Sequence, residues 1–192
     1  MTKKDIILGA GEVYMMDFTG DEIPADSVIE TDENNVGHTS GGASFEYKPE
    51  TYDVVNSYGQ TVKRLITKEE CIFKTGILSW SLDKIRLLTP ARIENPVGGK
   101  ERRLIFGGAQ KLTNVLIRFV HTKDDGLKIR LTMIANAGNG FTMDFKGDQE
   151  TVVDAELTAI SFIKDFLASI VEELTPPTEP EQEPEETEGE EL

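Results

Sequence analysis

The side chains able to do chemistry are few and scattered. A metal or nucleophilic centre needs His, Cys and carboxylates in sets at fixed spacing. His38, His121 and Cys71 have no such companions along the chain. His38 falls in a long polar stretch and His121 beside Lys123-Asp124-Asp125-Gly126, so both read as surface histidines. Cys71 lies between Glu70 and Ile72 with no adjacent cation to stabilise a thiolate, which predicts a buried, unreactive thiol. Asp32, Glu33, Asp144 and Asp148 match no calcium-loop spacing. Gly9 and Gly11 match half of a dinucleotide loop, but Tyr14 occupies the third glycine's place and no helical pattern follows. No GxSxG, HExxH or P-loop pattern occurs. No catalytic, cofactor-binding or metal-ligating residue is therefore assigned, and the chain is not read as an enzyme.

The cations point to association instead. Formal net charge is −15, and residues 175–192 contribute eight Glu with no Asp, Lys or Arg, leaving −7 for residues 1–174. Such a body is a poor ligand for nucleic-acid phosphates, although like charge lets DNA pass without sticking. Arg102 and Arg103, with Lys100 nearby, form a local basic cluster suited to ion pairs between subunits. Arg118, Lys128 and Arg130 fall on alternate positions of two strand-like runs and are grouped with them as candidate assembly residues.

Those runs organise the chain. Val115, Ile117 and Phe119, then Leu127, Ile129, Leu131 and Met133, occupy odd positions, and Arg118, Thr122, Lys128, Arg130 and Thr132 fall on even ones. A period of two predicts a strand with one buried and one wet face. Asp125-Gly126 supplies the hairpin turn, and Phe141, Met143 and Phe145 predict a third strand of an antiparallel meander. Upstream, 6–18 reads as the first strand and 19–43 as a long loop of the kind that carries function. Residues 44–59 read as two β-like halves around Lys48-Pro49-Glu50, followed by short strands at 61–66 and 70–74. Residues 76–89 switch to helical spacing, with Ser81 as N-cap, Pro90 as terminator and Trp80 as a core anchor. Residues 91–102 form a polar connection and 103–106 a short strand. Residues 154–162 alternate again and suit a strand that closes the sheet, and the spacing over 166–174 admits a short helix or a last strand, of which a strand ending at Val171 is preferred. The Pro/Glu-rich stretch 175–192 cannot offset ordering entropy and is predicted to be disordered. The organisation is thus a β domain over 1–174 with an acidic appendage.

A mean hydropathy of −0.31 describes a soluble protein, no apolar run approaches the ~20 residues that span a bilayer, and no signal peptide is evident. A single cysteine suits assembly in a reducing cytoplasm.

The order of parts is ILGAGEVYMMDF, a polar loop, SFEYKPETYDVV, FKTGILSWSLDKIRLL, the NVLIRFVHTKDDGLKIRLTMIANA hairpin, and DAELTAIS. Over residues 5–172 it resembles the major tail (tail tube) proteins of long-tailed bacteriophages. The resemblance implies an antiparallel β-sandwich or half-open barrel with one flanking helix. It implies homo-hexameric rings, joined edge to edge, that stack into a hollow tube through which DNA passes without specific binding. A tape measure protein would lie inside, and tail terminator and distal tail or baseplate proteins at the ends. The protein would reside in the virion tail after assembly in the host bacterial cytoplasm, with no membrane anchor. On this reading Arg118, Lys128 and Arg130 either face the lumen among compensating carboxylates or form an intersubunit surface. The inner tube of a contractile tail or phage-derived secretion device shares the fold. A small-ligand-binding β-barrel is the alternative from another class.

Overall fold

The computed structural model describes residues 11–174 except positions 97, 109, 110, 146 and 149. The strands are β1 (Glu12–Asp17), β2 (Thr39–Val55), β3 (Thr61–Ile77), β4 (Arg92–Glu94), β5 (Arg103–Ile105), β6 (Val115–Thr122), β7 (Lys128–Asn136), β8 (Phe141–Met143), β9 (Val153–Ala159) and β10 (Ala168–Glu172). Two short helices, α1 (Asp26–Ile29) and α2 (Leu82–Leu87), complete the described elements. The fold is mainly β and antiparallel, as the alternating patterns require.

One continuous sheet runs β1-β6-β7-β9-β3-β2. β7 divides one edge between two neighbours: Ile129–Met133 pairs with β10, whereas Ala135 and Asn136 pair with β9. The sheet folds over at this junction, so β1-β6-β7-β10 and β9-β3-β2 enclose an apolar layer between them. Val13, Met15, Val115, Ile117, Leu131 and Met133 come from the first half, Cys71, Phe73 and Leu157 from the second, and Leu87 and Leu88 from α2 and its end. This is the predicted half-open sandwich with a flanking helix. Ile117 and Met133 are cross-strand partners at 0% exposure. Ile117→Ala should cost about 2–5 kcal/mol, because a close-packed site collapses only partly around a deleted side chain. Chemical denaturation would measure it, as a lower midpoint at unchanged slope.

The hairpin turn is as expected: Gly126 has φ 84°, Lys123 N–H donates to Leu127 O at 2.8 Å, and Gly126 N–H to Lys123 O at 2.9 Å. The meander is not. β8 pairs with β9, so its position is set by contacts with a strand later in sequence than itself. The regions expected as broken strands before and after Ser57 are two unbroken 17-residue strands forming one long hairpin. Pro49 interrupts nothing, because among the described residues β2 pairs only with β3, and a missing donor is tolerated on an edge strand. The irregularity is taken up by a register shift between Glu50 and Thr51, which leaves Thr67 without an opposite residue.

Two further corrections concern the middle of the chain. The helix is shorter than 76–89, and Trp80 lies before it, 63% exposed; Ile85, Leu87 and Leu88 supply the apolar contact instead. Ser81 holds the N-cap position with extended backbone angles but makes no side-chain capping bond. The 19–43 stretch is not one loop. It contains α1, bridges to β1 through Asn34–Val36, and enters β2 at Thr39. Residues 6–10 of the predicted first strand and the acidic 175–192 stretch lie outside the described residues.

Candidate assembly surfaces

The cations of the β6–β7 hairpin are not on a wet face. Residues 18–36 fold as a strap across the even side of β6 and β7. Phe18 and Ile29 pack there with Tyr14, Leu116, Val120 and Ile134. Arg118 and Arg130 are buried beneath the strap at 4% and 8% exposure. Two carboxylates on α1 and at its end meet them. Arg118 Nη1 donates to Asp26 Oδ1 at 2.6 Å and to Glu30 Oε1 at 3.2 Å. Lys128 Nζ donates to Glu30 Oε2 at 2.9 Å, and Arg130 Nε reaches Glu30 Oε1. Arg130 Nη1 also bonds Glu173, whose other oxygen accepts from the Lys128 backbone N–H at 2.9 Å.

The electrostatics follow from this convergence. Burial alone would raise the Glu30 carboxyl, but hydrogen bonds from Arg130 and Lys128 outweigh it and hold the group below the ordinary range. Asp26 is lowered chiefly by its bond from Arg118, and Glu173 by those from Arg130 and the Lys128 backbone. Arg130 is held charged more firmly than a free guanidinium, mainly by Glu30. The nearby Tyr14 hydroxyl, buried and donating to Glu12 Oε2 at 2.5 Å, is pushed up to about 12. Arg118, Lys128 and Arg130 thus bind the subunit's own strap. This arrangement corrects the lumen-or-interface alternatives drawn from the hairpin pattern, because neither placed the face under the chain itself.

The other candidates are separate from this cluster and from each other. Arg102 forms a two-pronged bond to Asp83 on α2, at 2.6 and 3.0 Å, and Arg103 pairs with Glu101. Both arginines are about half exposed. His121 is buried rather than on the surface, whereas His38 is exposed and donates its backbone N–H to Ser79 Oγ at 2.8 Å. Cys71 is buried, and burial pushes its thiol up, away from the thiolate.

The surface that sequence reasoning missed is the distal β2–β3 hairpin. β9 pairs with β3 only over Ile72–Ile77, so from Glu70 outward the hairpin is a two-stranded arm. Its tip is organised by Asn56, whose side-chain oxygen accepts from the Tyr58 and Gln60 backbones at 3.0 Å. Gly59 supplies φ 76° there. Arg64 grips Asp53, its cross-strand partner, at 2.6 and 2.8 Å. Large apolar side chains nevertheless stand in solvent: Tyr52, Tyr58, Val62, Leu65 and Ile66 are 42–87% exposed. Tyr52 is paired directly with Leu65, so the two share one face. The strand read at 61–66, with Val62, Leu65 and Ile66, contained this signal, but the break expected at 67–69 concealed its length. No protein-family model matches the chain, and no curated protein matches it in sequence.

Proposed function

We propose that this protein is a virion structural subunit that self-assembles into stacked rings, forming the tail tube through which a phage genome is delivered. The observation that carries the reading is the arm. A lone two-stranded ribbon is marginal in water, and unpaired edges with exposed aromatic and aliphatic residues are a hazard to a monomer. The same features are joining surfaces in a ring or stack of identical subunits. Among the described residues, β10 and β2 add open sheet edges to the body. The acidic sequence, −15 overall, suits a conduit that does not hold DNA. The space between the sheet halves is filled by side chains, which gives a small-ligand barrel no support.

Electron microscopy of the purified protein at high concentration should show rings or tubes with a central channel. Strictly monomeric protein across assembly conditions would defeat the reading.

A further inference from the structure

The turn between β7 and β8 brings together the groups for a reaction of the chain with itself. Asn139-Gly140 is the one place in the sequence where glycine follows asparagine. Asn139 is exposed, and Gly140 sits at φ 71° with open space where a Cβ would stand. The Asn139 carboxamide is held through its nitrogen: Nδ2 donates to Glu156 Oε1 at 2.6 Å. Glu156 Oε2 in turn accepts from Lys74 Nζ at 2.7 Å. Asn56, at the tip of the arm, provides the contrast. Its oxygen accepts from the Tyr58 and Gln60 backbones, its nitrogen donates to Gln60 Oε1 at 3.2 Å, and Ser57 follows it.

An asparagine side chain is open to attack by the backbone nitrogen of the next residue, and glycine favours the attack because no side chain crowds the approach. Here the Gly140 N–H donates to Ala137 O at 2.9 Å, so the attack follows a local opening of this turn. We propose that Asn139 is a modification site, at which the folded protein converts its own asparagine to isoaspartate and aspartate and loosens β8. The Gly140 nitrogen bonds to Asn139 Cγ, the Cγ–Nδ2 bond breaks, and ammonia leaves with the proton that Gly140 gave up. Water then opens the imide at either carbonyl. Glu156 loses a donor and gains a facing carboxylate, with Lys74 left to serve both. In the isoaspartate product the main chain runs through the former side chain, which lengthens the connection to β8 by one carbon. β8 is held by a short register with β9, from Phe141 opposite Ala155 to Met143 opposite Val153. Phe141 also meets Phe106, with ring centroids 6.3 Å apart. So short a strand opens at little cost when its lead-in is displaced.

The test uses full-length protein aged in neutral and in alkaline buffer without denaturant. It is then digested and read by tandem mass spectrometry, with fragmentation that separates isoaspartate from aspartate. Conversion at Asn139 should exceed that at Asn56 at least about tenfold, because Gly140 lacks the Cβ that Ser57 carries. It should quicken with pH, since the attacking amide must lose its proton, and Asn139→Gln should abolish it. Equal rates at the two asparagines, or no conversion at Asn139, would overturn the site. Hydrogen exchange of the aged protein should rise over residues 141–143 and stay unchanged over β6 and β7. Unchanged exchange over 141–143 in fully converted protein would overturn the loosening of β8.

Discussion

Leu65→Asp combined with Ile66→Asp should abolish assembly while leaving the subunit folded. Leu65 and Ile66 are 42% and 60% exposed and sit on opposite faces of the arm, next to Tyr52 and Thr51 respectively. Neither belongs to the apolar layer between the sheet halves, so the thermal midpoint should move little. Burying a Leu or Ile side chain at an interface is worth about 1.5–3 kcal/mol. Losing two such contacts in each subunit corresponds to a rise in critical concentration of at least about a hundredfold. Buried aspartates add a desolvation cost in the same direction. Sedimentation across a concentration series, beside thermal melts, measures both effects. Assembly at the wild-type threshold would show that the arm is not a joining surface.

The second large effect concerns the strap. Glu30→Ala should destabilise the subunit by about 1–3 kcal/mol, because it removes the buried carboxylate that Arg118, Lys128 and Arg130 share and leaves the half-exposed Asp26 and the partly exposed Glu173 to meet the two arginines. The loss exceeds that expected for the partly exposed Asp26, whose removal leaves Glu30 in place. The pH dependence has a definite sign. Glu30, Asp26 and Glu173 all titrate below their ordinary values when folded. Their stabilisation is therefore complete above the ordinary carboxyl values of 4.5 and 3.8. It is lost as pH falls through the lower folded values. Denaturant melts of the wild type should weaken progressively below about pH 4.5. Glu30→Gln should start lower and show a shallower acid limb. A Glu30→Gln variant that kept the wild-type acid limb would mean that the cluster does not hold the strap.

Local signals carried much of the architecture. The β6–β7 hairpin, its Gly126 turn and the helix before Pro90 follow from spacing of two or 3.6 and from turn chemistry within a few residues, whereas spacing over 166–174 admitted a strand or a short helix. Trp80 escapes such signals, because size and apolarity do not say on which side of a helix start a residue will fall. Pro49 escapes them too. Its missing donor matters only where a neighbouring strand needs it, and edge position is a tertiary fact.

The same limit governs the candidate site. Sequence established that the odd and even faces of β6 and β7 differ, that Arg118, Lys128 and Arg130 share one of them, and that the chain is strongly acidic. It did not establish what covers that face. Arg118, Lys128 and Arg130 meet Glu30 across sequence separations of 88, 98 and 100 residues. A period of two records that side chains alternate, whereas burial depends on whether another segment brings matching charge and apolar surface. Here Ile29 and Glu30 bring both, so a face that looked solvent-exposed became the inside of the subunit, and the arm remained as the exposed surface.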